Sequence, residues 1–233
     1  MKTKKIISVI VYLLLTGALA PKLGAQVLPQ LSQFPLHSNY RKSAKPLLFF
    51  LTGDGGWNTF SQNLVTELVK NEYAVVTLDS RKYFWEQKSP DIFARDMQLI
   101  MSAYLKSWNK DSYTVIGYSF GADVAAFLPA HLSANLASKM NSLILLSPGL
   151  STGYVIKLKN LLNFGSTDKE QYKVYPELLK AGLPVWCIFG KEEGSDFYPL
   201  LKESVRLHKI GIPGSHRYND DTGIIYKAIA RGL

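Results

Sequence analysis

The chain is almost without cysteine. Cys187 stands alone inside an apolar run, so no disulfide can form within the chain, and its expected role is that of a small buried hydrophobe. No lysine or arginine cluster runs along any predicted helix, which excludes a nucleic-acid footprint although the formal net charge is +9. There is no internal repeat and no low-complexity tract, and no motif calls for a metal or another cofactor. A long apolar run is missing too. Ile6 to Ala20 is interrupted by Ser8, Thr16 and Gly17, follows the basic head Met1-Lys-Thr-Lys-Lys5, and gives way to small residues as far as Ala25. That pattern is too short for a comfortable membrane span and reads as a secretory signal peptide. Pro21 disfavours cleavage after Ala20, so Ala25 before Gln26 is the expected cleavage point, and no cysteine is at hand for a lipid anchor.

Removing residues 1–25 takes away Lys2, Lys4, Lys5 and Lys22 and no acid, and the charge falls from +9 to +5. A mild attraction to an anionic membrane surface is compatible with that balance. What remains has the composition of one globular domain, for 47% of the 233 residues are hydrophobic and 19% charged. Residues 26–45 are polar and punctuated by proline, and are expected to form an edge strand or hairpin. From Pro46 onward, short apolar runs alternate with amphipathic stretches, the signature of a mostly parallel α/β sheet with helices on both faces. Strands are predicted at 46–52, 73–79, 113–116, 142–147, 184–190 and 205–210. Helices are predicted at 62–71, 90–108 and 120–132 and from about 220. Residues 150–183 form a lid-sized insertion carrying Tyr154, Phe164, Tyr172 and Tyr175, aromatics suited to covering an acyl or lipid group.

One stretch carries the chemistry. In Gly117-Tyr-Ser-Phe-Gly121 a G-x-S-x-G pattern stands between an apolar run and an Ala-rich segment, the strand-turn-helix setting in which it lifts a serine above a sheet edge. The two glycines let the backbone reverse without a side chain meeting its neighbours. Ser119 is therefore the candidate nucleophile of an α/β-hydrolase. A serine hydroxyl needs a base within hydrogen-bond reach. Of the four histidines, His37 precedes the sheet, His131 is late in the elbow helix and His208 is within the last strand. His216 follows that strand in Gly214-Ser-His-Arg-Tyr218, where such a fold keeps its base.

The acid that orients the imidazole is expected between Ser119 and His216, beyond a strand. Lys191-Glu-Glu-Gly-Ser-Asp196 offers Glu192, Glu193 and Asp196. Asp196 is the preferred acid, because a short side chain past Gly194 can reach over the sheet edge, with Glu192 or Glu193 as the alternatives. The glutamates read otherwise as a rim attracting a cationic substrate group. For the tetrahedral oxyanion, one donor is the amide of Phe120 and the other that of Asp54 or Gly55 in Thr52-Gly-Asp-Gly-Gly-Trp57, a loop without the Gly-Lys-Ser/Thr ending of a phosphate loop. The Asp54 side chain is expected to cap that loop or line the pocket. Trp57, Tyr83, Trp85, Tyr118 and Glu193 are the expected substrate-binding residues, Ser80 to Trp85 following a strand end on the same edge.

Leu51-Thr-Gly-Asp-Gly-Gly-Trp57, Asp79-Ser-Arg-Lys-Tyr-Phe-Trp85, Gly117-Tyr-Ser-Phe-Gly-Ala-Asp-Val124 and Pro213-Gly-Ser-His216 together resemble the bacterial virulence protein family VirJ and the related AcvB domain. The resemblance runs from about residue 46 to the end. It implies a periplasmic α/β-hydrolase with Ser119, Asp196 and His216 as its triad. For AcvB-like members it implies hydrolysis of aminoacyl-phosphatidylglycerol, typically the lysyl ester. For VirJ-like members it implies a link to type IV secretion and virulence. The expected activity is hydrolysis of a small-molecule or lipid ester through an acyl-enzyme. The alternative is a binding role on the same scaffold, with a secretion-system partner.

Overall fold

The computed structural model describes residues 29–156 and 172–233. The expected signal peptide, and Phe164 with the middle of the expected lid, lie outside the described residues.

The chain opens with a 3-10 turn, Pro29–Leu31, and the short strand β1, Leu36–Asn39. It continues through β2 (Leu47–Leu51), α1 (Thr59–Lys70), β3 (Val75–Leu78), α2 (Ser80–Tyr83) and α3 (Pro90–Ser107). Next come β4 (Tyr113–Tyr118), α4 (Phe120–Ala125), α5 (Leu128–His131), α6 (Ala134–Ala137) and β5 (Met140–Leu146). The two-residue strands β6 (Ser151–Thr152) and β7 (Tyr172–Lys173) pair with each other, and α7 (Val174–Lys180), β8 (Val185–Gly190), β9 (Leu207–Ile212) and α8 (Thr222–Ile229) complete the order. Seven strands form the main sheet in the order β1-β3-β2-β4-β5-β8-β9, with only β1 antiparallel to its neighbour. Before β2 the described residues contribute one edge strand, β1.

Every residue of β2, Leu-Leu-Phe-Phe-Leu, is buried, because a central parallel strand is covered on both faces. Its side chains alternate between two cores. Leu47, Phe49 and Leu51 face the α3 side with Met97, Ile100 and Tyr104, whereas Leu48 and Phe50 face α1 and α8 with Leu64, Leu68 and Ile225. Cys187 is fully buried in β8 among these apolar residues, and its thiol is held protonated by the burial. The helix α3 starts sharply because the Ser89 hydroxyl accepts a hydrogen bond from the amide of Ile92 (3.2 Å) and Pro90 needs no acceptor in the first turn.

Two departures from the sequence expectation have a plain physical reading. The helix predicted over 120–132 is broken into α4 and α5, since Pro129 has no N–H to donate and cannot continue the α4 ladder. The last strand runs two residues later than predicted, pairing Val185 with Leu207 through Gly190 with Ile212, and leaves Val205 93% exposed. A shift of two keeps each side chain on its original face.

All six parallel strands end on one edge, where crossover connections place their following loops. Replacing Phe50 by alanine is expected to lower the unfolding free energy by about 3–5 kcal/mol in chemical denaturation. Leu99→Ala, at a side chain 46% exposed on α3, should change it by less than about 0.5 kcal/mol.

Candidate active site

The elbow after β4 is built on close contact. A methyl group at Gly117 would come within 2.5 Å of the Ala122 Cα, and one at Gly121 would run into the carbonyl oxygens of Leu51 and Thr52. With hydrogen at both positions, α4 can start directly over the end of β2. Ser119 takes up the reversal with φ 53° and ψ −123°, a conformation that costs an L-residue about 1–3 kcal/mol. It is held there by its own amide on the Leu146 carbonyl (2.8 Å) and by the amides of Ala122 (2.8 Å) and Asp123 (3.1 Å) on its carbonyl.

The His216 Nε2 atom lies 2.9 Å from the Ser119 Oγ atom. The loop that brings it there leaves β9 through Gly214, at φ +103°, and lies against the end of β8, where a side chain at Gly190 would meet the Gly214 and Ser215 carbonyls. Tyr118, directly before Ser119, donates its hydroxyl to the His216 carbonyl (3.3 Å), so the ring beside the imidazole also tethers its backbone. Beyond the histidine, Tyr218, Asn219 and Asp220 take φ of 54°, 55° and 57°, three left-handed residues in succession, and the chain then enters α8. Arg217 clasps Asp220 Oδ1 through two nitrogens (3.0 and 2.7 Å) across this turn.

The carboxylate facing the imidazole is that of Glu193, not Asp196. Glu193 Oε2 is 3.8 Å from His216 Nδ1, and its side chain is 6% exposed against 51% for the histidine. The same oxygen accepts the Ser147 hydroxyl at 2.6 Å and the Gly190 amide at 3.3 Å. Asp196 is exposed, and among the described residues it makes no contact with His216. The cause lies in the turn after β8. Glu193 donates its amide to Gly190 (3.2 Å) and Glu192 to Gly214 of the base loop (3.0 Å), which folds the chain back at the strand end and points residue 193 inward. Past Gly194, at φ +65°, the chain heads for the buried Phe197 and carries Asp196 outward. Of the expected acidic rim, Glu192 remains exposed, while Glu193 is committed beneath the histidine.

Gly53 packs against Ser119; a methyl group there would touch its Cβ at 3.3 Å. The following turn, closed by the Gly56 amide on the Gly53 carbonyl (3.0 Å), presents the amides of Asp54 and Gly55, which like that of Phe120 donate to no oxygen among the described residues. The Asp54 side chain is exposed and caps nothing among the described residues. Asn58 is the cap of α1, accepting from the Ser61 amide at 3.1 Å.

The expected substrate-binding residues separate into two groups. Trp57 and Trp85 line an open cleft of about 510 Å³ beside the glycine turn, together with Gly56, Arg81 and Lys82. Trp85 is 55% exposed, whereas Trp57 stacks on His37 with ring centroids 4.3 Å apart. Burial pulls the proton affinity of that histidine below its ordinary value. Tyr83 and Tyr118 are buried side chains outside this cleft. Tyr83 is buried against Phe84 and Phe93 and donates to Asp96 Oδ2 at 2.7 Å, and Tyr118 packs on Phe60 at 4.5 Å. Burial holds both phenols well above their usual range. Tyr154, expected on a lid, is fully buried between Phe84, Phe127 and Tyr172 and belongs to the core.

Two residues that sequence reasoning passed over join the site. Ser147, one residue beyond β5, has φ 48°, and Tyr218 is 1% exposed. Their only signal in the sequence is position, since each follows a strand on the edge that carries Ser119.

The fold is that of the α/β-hydrolases. A lipase-esterase related protein from Clostridium acetobutylicum superposes with a TM-score of 0.58 at 16% identity, covering 85% of this chain and 100% of its own. The Pyrococcus furiosus esterase Pf2001 gives 0.55 at 15% identity over 91% of this chain and 96% of its own. The proline iminopeptidase of Mycobacterium smegmatis gives 0.54 at 13% identity over 84% and 92%. No curated protein sequence matches the chain significantly. The family model described as bacterial virulence protein (VirJ) matches residues 46–233, the whole of the sheet from β2 onward with its glycine turn, elbow and base loop, and the chain belongs to that family.

Proposed function

We propose that the protein is an exported serine hydrolase that cleaves a carboxylic ester through an acyl-enzyme. The observation that carries this reading is the 2.9 Å contact between His216 Nε2 and Ser119 Oγ, with the Glu193 carboxylate behind the ring. In the reaction the Ser119 oxygen attacks the ester carbonyl carbon as its proton passes to His216 Nε2. The tetrahedral oxyanion is met by the amides of Phe120 and of Asp54 or Gly55, donors that nothing else in the described protein occupies. The C–O bond then breaks, and His216 returns its proton to the departing alcohol. Water, deprotonated by the same nitrogen, releases the acid from Ser119. Glu193 stabilises the imidazolium in both halves and keeps the proton on Nδ1 of the neutral ring.

The finer reading of the substrate is an aminoacyl-phosphatidylglycerol, such as the lysyl ester. It comes from the family resemblance, and three features of the site suit it. The cations Arg81 and Lys82 in the cleft next to the glycine turn, the latter paired with Asp79 at 3.5 Å, suit a phosphate, the exposed Trp85 an apolar or glyceryl segment, and the exposed Glu192 an amine. Export accords with the basic head and apolar run before residue 26.

A fluorophosphonate probe is expected to label the wild type, with labelling lost in Ser119→Ala. A chain that stays unlabelled, or is labelled equally after the substitution, is a binding component of a secretion or virulence apparatus and not an enzyme. Failure to release lysine from lysyl-phosphatidylglycerol vesicles by a labelled enzyme removes the lipid substrate alone. Glu193→Gln should lower kcat on a soluble ester by about 10²–10⁴-fold, as loss of the orienting acid does in serine triads. Asp196→Asn should stay within about twofold, and the reverse pattern would return the acid's role to Asp196.

A further inference from the structure

The acid and the base are joined beneath the sheet edge by two hydroxyls that the mechanism above does not use. Ser147 Oγ donates to Glu193 Oε2 at 2.6 Å and lies 2.6 Å from the Tyr218 hydroxyl, which in turn is 2.9 Å from the Ile188 carbonyl. With the serine proton on the carboxylate, the single phenolic proton serves two acceptors, Ser147 Oγ and the Ile188 oxygen. The same Ile188 oxygen accepts the Ser147 amide at 2.7 Å, so the serine is tied to β8 by its backbone as well as by its side chain. Tyr218 is two residues from the base, and Ser147 touches the acid. The pair therefore spans from the loop carrying His216 to the carboxylate that faces it.

Both residues sit in conformations that their side chains make costly. Ser147 has φ 48° and Tyr218 φ 54°, the left-handed region in which glycine is favoured over any residue with a Cβ by about 1–2 kcal/mol. Glycine at 147 would relieve that cost, and phenylalanine at 218 would fill the same space. What serine and tyrosine add is the hydroxyl. Burial keeps the phenol protonated, its proton affinity lying well above the ordinary value.

We propose that the hydroxyls of Ser147 and Tyr218 are positioning groups that hold the Glu193 carboxylate at its place opposite His216 Nδ1. The proposal rests on the hydrolase reading and extends it to two residues that touch neither the substrate nor the reacting atoms. Without the serine donor, a carboxylate only 6% exposed loses the shortest of its hydrogen bonds and rotates to find another, and the imidazole loses the partner that fixes its tautomer. The loss falls on the chemical step and not on substrate binding.

The test compares Ser147→Gly, Tyr218→Phe and the double variant in the full chain, on a soluble p-nitrophenyl ester. Melting temperature and the low-field imidazole proton resonance of the fluorophosphonate-inhibited enzyme are measured alongside. Ser147→Gly should melt no lower than the wild type, keep KM within about twofold, lose about 10–100-fold in kcat and shift or lose the low-field resonance. Tyr218→Phe should lose about 3–10-fold in kcat, and the double variant should be no worse than Ser147→Gly, because both act through one carboxylate. Wild-type kcat and an unmoved resonance in Ser147→Gly overturn the proposal, as does a kcat loss matched by a fall in melting temperature with the resonance unmoved. A wild type that is neither labelled nor active removes the hydrolase reading and this role with it, whereas an active, labelled wild type with unaltered variants removes this role alone.

Discussion

The site depends on one close approach, the passage of the elbow backbone across the end of β2. Gly121 lies against the Leu51 and Thr52 carbonyls with no room for a methyl group, and Gly117 lies equally close to Ala122. That contact forces Ser119 into a conformation worth about 1–3 kcal/mol of strain, and the fully buried strands on either side supply the rigidity that sustains it. The same contact brings the glycine turn of residues 53–56 alongside the nucleophile, because that turn begins where β2 ends. The Ser119 hydroxyl and the free amides of Phe120, Asp54 and Gly55 are thus brought together by a single packing event.

His216 and Glu193 are positioned by a second set of contacts, and these are polar. The ends of β5, β8 and β9 each run one or a few residues past the sheet, and their loops bond to one another. Glu192 donates to Gly214, Ser147 to Ile188 and Glu193, and Tyr218 to Ser215 through its amide. Left-handed residues gather here, at Ser147, Gly194, Gly214 and Tyr218 to Asp220, because three strand ends converge on one imidazole and each chain must turn sharply to leave. The cleft of Trp57, Arg81, Lys82 and Trp85 is open, and its walls are tied as well, the Gly56 carbonyl accepting the Ser61 hydroxyl at 3.1 Å and Asp79 accepting the Lys82 amide at 3.3 Å.

The parts of the fold carried by local pattern were legible from the residues. A buried parallel strand writes itself as a continuous apolar run, as in Leu47–Leu51, and an amphipathic helix as a period of three to four, as in Pro90–Ser107. The break at Pro129 was equally present in the sequence, but the Ala-rich run around it outweighed the missing donor. The aromatics were harder. Tyr83, Tyr118 and Tyr154 have the composition of a pocket and the location of a core, and nothing in a tyrosine's neighbours along the chain says which side of a helix will cover it.

The sequence by itself determined the succession of strands and helices expected of a hydrolase sheet and the two candidates Ser119 and His216, because each is marked by a local pattern, a glycine-flanked serine or a histidine past a strand. Only the tertiary structure decided among Glu192, Glu193 and Asp196, and only it brought Ser147 and Tyr218 to the acid. The choice of acid turns on a hydrogen bond between the loop after β8 and Gly214 of the loop after β9, and the two hydroxyls meet across 71 residues of chain. Contacts of that range have no imprint on neighbouring residues, since they exist only once the sheet has set the strand ends side by side.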